Sequence, residues 1–151
     1  MNRSLRSLAL GTAAAIGLAT PALAAAHTSA PSQPDRSTTV VRHFHVKPLS
    51  FIDTHPGYVA LDADFNAKGK RVGSDVTTCR PAKREERTAR CDVGLGLRGG
   101  LITITFTQSS GSKKSHGRIT GGTGAFAGVS GTVLIKEHKR GADVTATIRR
   151  P

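Results

Sequence analysis

The sequence predicts an all-β fold, a single antiparallel β-barrel of roughly eight strands, with a two-sheet sandwich as the alternative. Three observations predict it. Apolar and polar residues alternate with a period of two in several short runs, no segment shows helical periodicity, and glycines fall between the runs, where turns are needed. Closing the sheet into a barrel removes its exposed edges, and such a barrel either fills with side chains or keeps a small cavity.

The segments before the first strand differ from the rest in composition. Residues 1–26 carry two early arginines, an apolar run and small residues, which is typical of a secretory signal peptide, with cleavage after Ala24 or Ala26. Residues 27–37, rich in proline, serine and threonine, predict a disordered leader. We therefore expect an extracellular protein without a membrane span, in which residues 38–151 form one barrel domain.

The first predicted strand covers residues 40–46. Val40, Phe44 and Val46 share one face, and His43 and His45 share the other. Because the apolar face should pack inward, we expect both histidines in solvent.

The second predicted strand covers residues 58–65. Its apolar face consists of Val59, Leu61, Ala63 and Phe65. Asp62 and Asp64 lie on the opposite face and are expected to point into water. Two alternatives involve these aspartates, a metal site shared with His43 and His45, and a general acid and base pair. Both are disfavoured because nothing in the pattern indicates that the carboxyl groups are buried.

The next runs predict a β-hairpin and a disulfide. Residues 91–97 and 101–107 alternate on either side of a glycine turn, which places Leu95, Ile104 and Phe106 on the inner face. Cys79 and Cys91 are the only cysteines, and in an exported chain an even count favours a disulfide. Two cysteines at this spacing lack the partner ligands of a zinc site.

A glycine-rich corner between two strands, at residues 117–133, is the most informative segment. Its centre is Gly121, Gly122, Thr123 and Gly124, and glycines in such a cluster fix a backbone shape that side chains would obstruct. The spacing also satisfies a dinucleotide-binding fingerprint, but the helix that this fingerprint requires does not follow. Residues 132–137 and 144–148 predict the last two strands.

Four motifs in order carry a resemblance. They are Gly-Lys-Arg-Val-Gly at 69–73, the cysteine pair, Gly-Gly-Leu-Ile-Thr at 99–103 and Gly-Gly-Thr-Gly at 121–124. This order resembles small exported actinobacterial proteins of the allene oxide cyclase barrel-like, dirigent-like type, over residues 58–148. Plant dirigent proteins guide the coupling of phenoxy radicals, and allene oxide cyclases steer the ring closure of an epoxide.

The resemblance implies a barrel that holds a reactive apolar molecule in one conformation, which is catalysis by positioning without a metal or redox cofactor. Because the matched motifs are structural, the resemblance assigns no catalytic, cofactor-binding or metal-binding residue. Plant relatives are often trimers, so a homo-oligomer is a further expectation.

The chain is strongly basic, with 22 Lys and Arg against 10 Asp and Glu and a net charge of +12. Such a charge attracts polyanions through a salt-dependent term, so weak contacts with extracellular polyanions are expected. Specific nucleic-acid binding is not expected, because the basic segment at residues 83–90 contains two acids and no aromatic residue.

Three functional hypotheses follow. The first is an exported barrel that binds a small apolar ligand without demonstrated catalysis. The second is an isomerase or dirigent-type protein, which needs a buried charged or hydroxyl group in its cavity. The third is a filled barrel that binds polyanions through its basic surface. Candidate interior residues are Phe44, Leu61, Phe65, Leu95, Ile104 and Phe106.

Overall fold

The structure is a computed structural model, and it describes residues 37–82 and 87–151. The predicted signal peptide and all of the predicted leader except Ser37 lie outside the described residues. Residues 83–86, which belong to the basic segment at residues 83–90, also lie outside the described residues.

The described residues form a closed, all-antiparallel barrel of eight strands, as predicted. In chain order the strands are β1 (Thr38–Asp53), β2 (Tyr58–Phe65), β3 (Arg71–Pro81), β4 (Thr88–Leu97), β5 (Gly100–Ser109), β6 (Lys114–Gly122), β7 (Ser130–His138) and β8 (Gly141–Arg150). Each strand pairs with its neighbour in sequence, and β8 pairs with β1 to close the barrel. One turn of 3-10 helix, Gly124–Phe126, precedes β7. No helix among the described residues has the length and apolar character needed to cross a membrane.

The apolar core lies inside the barrel, where alternate residues of the strands meet. Its buried members are Phe44, Leu95, Ile102, Ile104, Ile119, Phe126, Val129, Val133, Ala146 and Ile148. Partly buried residues such as Val93 and Val144 extend this core towards a cavity. The core therefore fills only part of the interior.

The glycine corner packs against the turn between β4 and β5. The Thr123 amide donates to the Leu101 carbonyl at 2.8 Å, and the Ala125 amide donates to the Gly99 carbonyl at 2.8 Å. Two glycine motifs that are distant in sequence therefore form one unit.

Close backbone approach explains the glycine at position 122. A Cβ there would lie 2.5 Å from the Phe126 carbonyl oxygen and 2.6 Å from that of Leu101. Gly124 has a φ of +59° and leaves no room for a Cβ beside the Gly99 carbonyl. Both positions exclude a side chain because neighbouring backbone occupies the space.

The structure contains the predicted disulfide. Cys79 and Cys91 are directly opposite on β3 and β4, with Cα atoms 4.1 Å apart, and both are buried. The bond closes a loop of sequence separation 12. The chain-entropy model assigns about 3 kcal/mol to a loop of this length.

The prediction that Leu61 and Phe65 lie on the inner face of β2 is wrong. Leu61 is 39 % exposed and pairs with the exposed Val76 on the outer surface. Phe65 follows an irregularity in the pairing and lies under the Lys47 ammonium, 4.9 Å from its ring centroid, rather than in the interior cavity. The physical reason is that apolar residues occur on both faces of β2, and the cavity beside the strand leaves room for the side chains of Asp62 and Asp64 on its inward face.

We predict that Gly122→Ala lowers the free energy of unfolding by about 2 kcal/mol or more, because overpacking against fixed backbone is not relieved by rotamer changes. Gly94→Ala is the matched control, since a Cβ at that position would meet only the Leu101 Cδ1 atom, at 3.8 Å. Chemical denaturation of both variants measures the difference. Equal stability of the two variants would contradict the packing of the corner.

Candidate functional site

A cavity of about 160 Å³ lies inside the barrel, between seven of the eight strands. Its lining consists of Phe44, Val46, Tyr58, Ala60, Asp62, Asp64, Asp75, Thr77, Val93, Leu95, Ile104, Phe106, Gln108, Val133, Ile135, Glu137, Ala142 and Val144. Four of the predicted interior residues, Phe44, Leu95, Ile104 and Phe106, belong to this lining, and Leu61 and Phe65 do not. Most of the wall is apolar, with the polar groups concentrated at a few positions.

Three of the four carboxyl groups in the lining lie on β2 and β3 and form one polar part of the cavity wall. Asp62 and Asp64 are alternate residues of β2, so their side chains point to the same side of the sheet. Asp75 on β3 is directly opposite Asp62 in the pairing. Asp64 is 2 % exposed and Asp75 is 6 % exposed, so two aspartates are held next to each other with almost no contact with solvent.

Burial and mutual repulsion raise the pKa of Asp64 to about 7. The largest cause is the loss of water around the carboxyl group, followed by the negative charges of Asp75 and Asp62. The hydrogen bond between Asp64 and Asp75 raises the pKa further, whereas the positive charge of Arg71 lowers it. Asp64 therefore keeps its proton close to neutral pH.

Asp75 is the acceptor in this pair. Burial and the charge of Asp62 raise its pKa to about 6, and two hydrogen bonds, from Thr77 and from Asp64, oppose the increase. The Thr77 hydroxyl donates to Asp75 Oδ1 at 3.0 Å. The hydrogen bond with Asp64 raises the pKa of Asp64 and lowers that of Asp75, so the proton resides on Asp64 and the negative charge on Asp75.

One carboxyl oxygen in the wall has no partner. Asp64 Oδ2 is buried and accepts no hydrogen bond from any described residue. Burying a polar oxygen without a hydrogen bond is unfavourable, so a donor that reached this atom would stabilise the wall.

A second polar group links three strands across the cavity. The Tyr58 hydroxyl donates to Gln108 Oε1 at 2.8 Å, and Gln108 Nε2 donates to Glu137 Oε1 at 2.7 Å. Burial raises the pKa of Tyr58, and the negative charges of Glu137 and Asp62 raise it further. Tyr58 therefore stays protonated and remains a hydrogen-bond donor.

The two histidines of the predicted alternative metal site lie on the outer surface. His43 Nδ1 is 3.2 Å from Thr145 Oγ1, and His45 Nδ1 is 2.6 Å from Asp143 Oδ1, both exposed. The structure thus separates these histidines from the inward aspartates, and the expectation that Asp62 and Asp64 point into water is wrong. Within residues 37–82 and 87–151, no cluster of three or more His, Cys, Asp or Glu side chains is suited to a metal ion.

Sequence reasoning missed Asp75, Tyr58, Gln108 and Glu137 altogether. One available signal was that the acidic face of β2 also contains Tyr58 and Ala60, so hydrophobicity did not distinguish its two faces. The contacts between β2, β5 and β7 join distant segments and have no local signature.

Comparison with solved structures identifies the type of barrel. A pterocarpan synthase dirigent protein matches with a TM-score of 0.60 and 19 % identity, over 81 % of this chain and 96 % of that protein. This chain has a dirigent-like barrel fold. A pyocyanin demethylase matches the dirigent-like barrel with a TM-score of 0.63 and 19 % identity, over 72 % of this chain and 99 % of its own. An exo-specific intermolecular Diels-Alderase matches with a TM-score of 0.58 and 12 % identity, over 76 % of this chain and 98 % of that protein. No protein-family model and no curated protein sequence matches the chain.

We predict that the carboxyl pair makes the stability of the barrel depend on pH. The pKa of Asp64 is raised from 3.8 to about 7 on folding, so its stabilising contribution is complete below the lower value and is lost as the pH rises through the higher one. The free energy of unfolding of Asp64→Asn, relative to that of the wild type, should therefore increase by roughly 2 kcal/mol as the pH rises from about 5 to about 8, after allowance for screening.

Denaturant unfolding across this range measures the effect. Asp92→Asn, at an exposed position on β4, is the control and should follow the wild type. A wild-type profile that is parallel to that of Asp64→Asn would show that the pair does not titrate as described.

Proposed function

We propose that the dirigent-like barrel binds a small molecule with an apolar body in its cavity and steers the conversion of that molecule by moving a proton to or from it at the Asp64 and Asp75 pair. One observation carries the proposal, the buried carboxyl pair in the wall of an otherwise apolar cavity. The second functional hypothesis requires a buried charged group in the cavity, so this pair favours it over ligand binding alone.

The two carboxyl groups suit opposite roles. Asp64 holds a proton near neutral pH and would donate it to a basic atom of the ligand. Asp75 carries the negative charge and would accept a proton from an acidic one, with its orientation held by the Thr77 hydroxyl. Environments that push the pKa values of two neighbouring acids apart are typical of acid and base pairs.

The remaining wall would position the ligand. Leu95, Ile104 and Phe106 supply apolar contacts that exclude water and restrict the orientation of a bound molecule. The Tyr58 hydroxyl, held by Gln108, supplies a further polar group. Positioning and proton transfer together would favour one product over others.

The structural neighbours support a reaction chamber without specifying the reaction. A demethylase, a Diels-Alderase and a pterocarpan synthase dirigent protein share the fold at 19 % identity or less. Because one fold hosts many chemistries, the reaction must be inferred from the site.

Export to an oxidising compartment is part of the proposal. The Cys79–Cys91 disulfide supports it, because such bonds persist outside the cytoplasm. The cleavable signal at residues 1–26, polyanion binding through the basic surface and a homo-oligomeric assembly remain predictions of the sequence.

We predict that benzyl alcohol, as a probe for a small ligand, binds in the cavity and shifts the methyl resonances of residues in its lining. Val93→Phe should abolish these shifts by filling the cavity. Val76→Phe introduces the same ring at an exposed position of the neighbouring strand and should leave them unchanged. Methyl NMR titration measures both, and shifts confined to exposed residues would contradict the binding site.

We predict that the pair accelerates the ring opening of a benzisoxazole, a probe for a positioned base in an apolar site. Asp75 would remove the ring C–H proton, whose bonding pair forms the third C–N bond of a nitrile, while the N–O bond breaks and its electron pair moves to the phenolate oxygen. The rate should rise with pH through about 6, the pKa of Asp75. Replacement of the base, Asp75→Asn, should lower it roughly 100-fold.

Phenolate absorbance follows this reaction. The exposed Asp92→Asn variant is the control and should retain the wild-type rate. An equal rate in Asp75→Asn would show that the cavity carboxyl is not the base.

A further inference from the structure

The cavity wall carries acids and no bases. Four carboxyl side chains line it, from Asp62, Asp64, Asp75 and Glu137, and no Lys, Arg or His belongs to this lining. The whole chain contains 22 Lys and Arg but only 10 Asp and Glu. A protein with so many cations thus places four of its 10 acids in a cavity whose lining, among the described residues, contains no cationic side chain.

Among the described residues, the cations near the wall compensate this charge only in part. The effect of Arg71 on Asp64 is smaller than those of burial and of the neighbouring acids. On the adjoining strand β1, Lys47 lies over the Phe65 ring, and neither residue belongs to the cavity lining. Buried charges are normally paired or coordinated, so the wall lacks a positive group.

An unsatisfied oxygen marks where that group would bind. Asp64 is 2 % exposed, lines the cavity, and its Oδ2 atom has no hydrogen-bond partner among the described residues. A protonated amine offers N–H donors together with a positive charge, and hydrogen bonds between ionised groups are the strongest of their kind. A metal ion fits less well, because the described residues provide no cluster of three ligands.

We infer that the ligand of this cavity is a small organic cation, an aromatic or aliphatic ring that carries a protonated amine, with its ammonium group on Asp64 and Asp75 and its ring against Leu95, Ile104 and Phe106. The inference rests on the proposed function, whose ligand class it specifies. A cavity of about 160 Å³ has the size of engineered cavities of about 150 Å³ that bind benzene. A ring with a short amine substituent therefore fills it.

Binding of such a cation should depend on pH. The titratable and charged groups around Asp64 in the wall are Tyr58 and Asp62 on β2, Arg71 and Asp75 on β3, and Glu137 on β7 across the cavity. The ammonium group would displace the proton shared by the pair, so its affinity rises as the pH increases and the carboxyl groups ionise.

Benzylamine and benzyl alcohol test the inference because they differ only in the polar group. Isothermal titration calorimetry of the full chain at pH 8 should give a dissociation constant at least ten times lower for benzylamine than for benzyl alcohol. The preference should shrink to less than threefold at pH 5. Buffers of different ionisation enthalpy should also reveal release of a proton when benzylamine binds.

Variants assign the preference to the pair. Asp64→Asn and Asp75→Asn should each weaken benzylamine at least tenfold while changing benzyl alcohol less than twofold, and the exposed Asp92→Asn should change neither. Two independent variants keep the test valid if one of them folds poorly.

Two outcomes would overturn the inference, and they are distinguishable. Equal affinities of the wild type for the amine and the alcohol, or tighter binding of benzoate than of benzylamine, would refute the cationic ligand and leave the proposed binding chamber intact. Binding of none of these compounds would refute the proposed chamber and the inference together.

Discussion

The joint burial of Asp64 and Asp75 in the cavity wall is the constraint on which the site depends. Two carboxyl groups taken out of water would repel each other if both were ionised, so one proton must be retained between them. The Thr77 hydroxyl stabilises the ionised partner and thereby sets which of the two acids holds the proton.

The barrel holds this pair in place. Closure of the sheet fixes the register of β2 on β3, which puts Asp75 opposite Asp62 and beside Asp64. The disulfide fastens β3 to β4 at Cys79, two residues beyond Thr77. The interlocked glycine motifs fix the turn after β4. The disulfide and the glycine motifs stabilise the barrel away from the site, and this stabilisation offsets the unfavourable burial of the carboxyl groups.

The fold could be predicted from the sequence because its signals are local. The alternation along each strand and the glycines at the turns predicted the barrel. The presence of two cysteines, Cys79 and Cys91, predicted the disulfide. The contact between the Gly99 and Gly122 regions could not be predicted, since it joins segments that are distant in the chain. For the cavity, strands with one clearly apolar face gave the right residues, as at Leu95 and Ile104. The prediction for β2 failed because apolar side chains occur on both faces of this strand. The rule that acids face water does not hold where a strand borders an internal cavity, as β2 does.

Carboxyl carbon NMR titration of Asp64 and Asp75 in the folded protein tests the account most directly. The account predicts that Asp64 titrates near 7 and Asp75 near 6, with each resonance responding to the ionisation of the other. Titration of both groups below about 4.5, within the usual range for aspartate in folded proteins, would contradict it, because the pair would then be ionised and solvated at neutral pH.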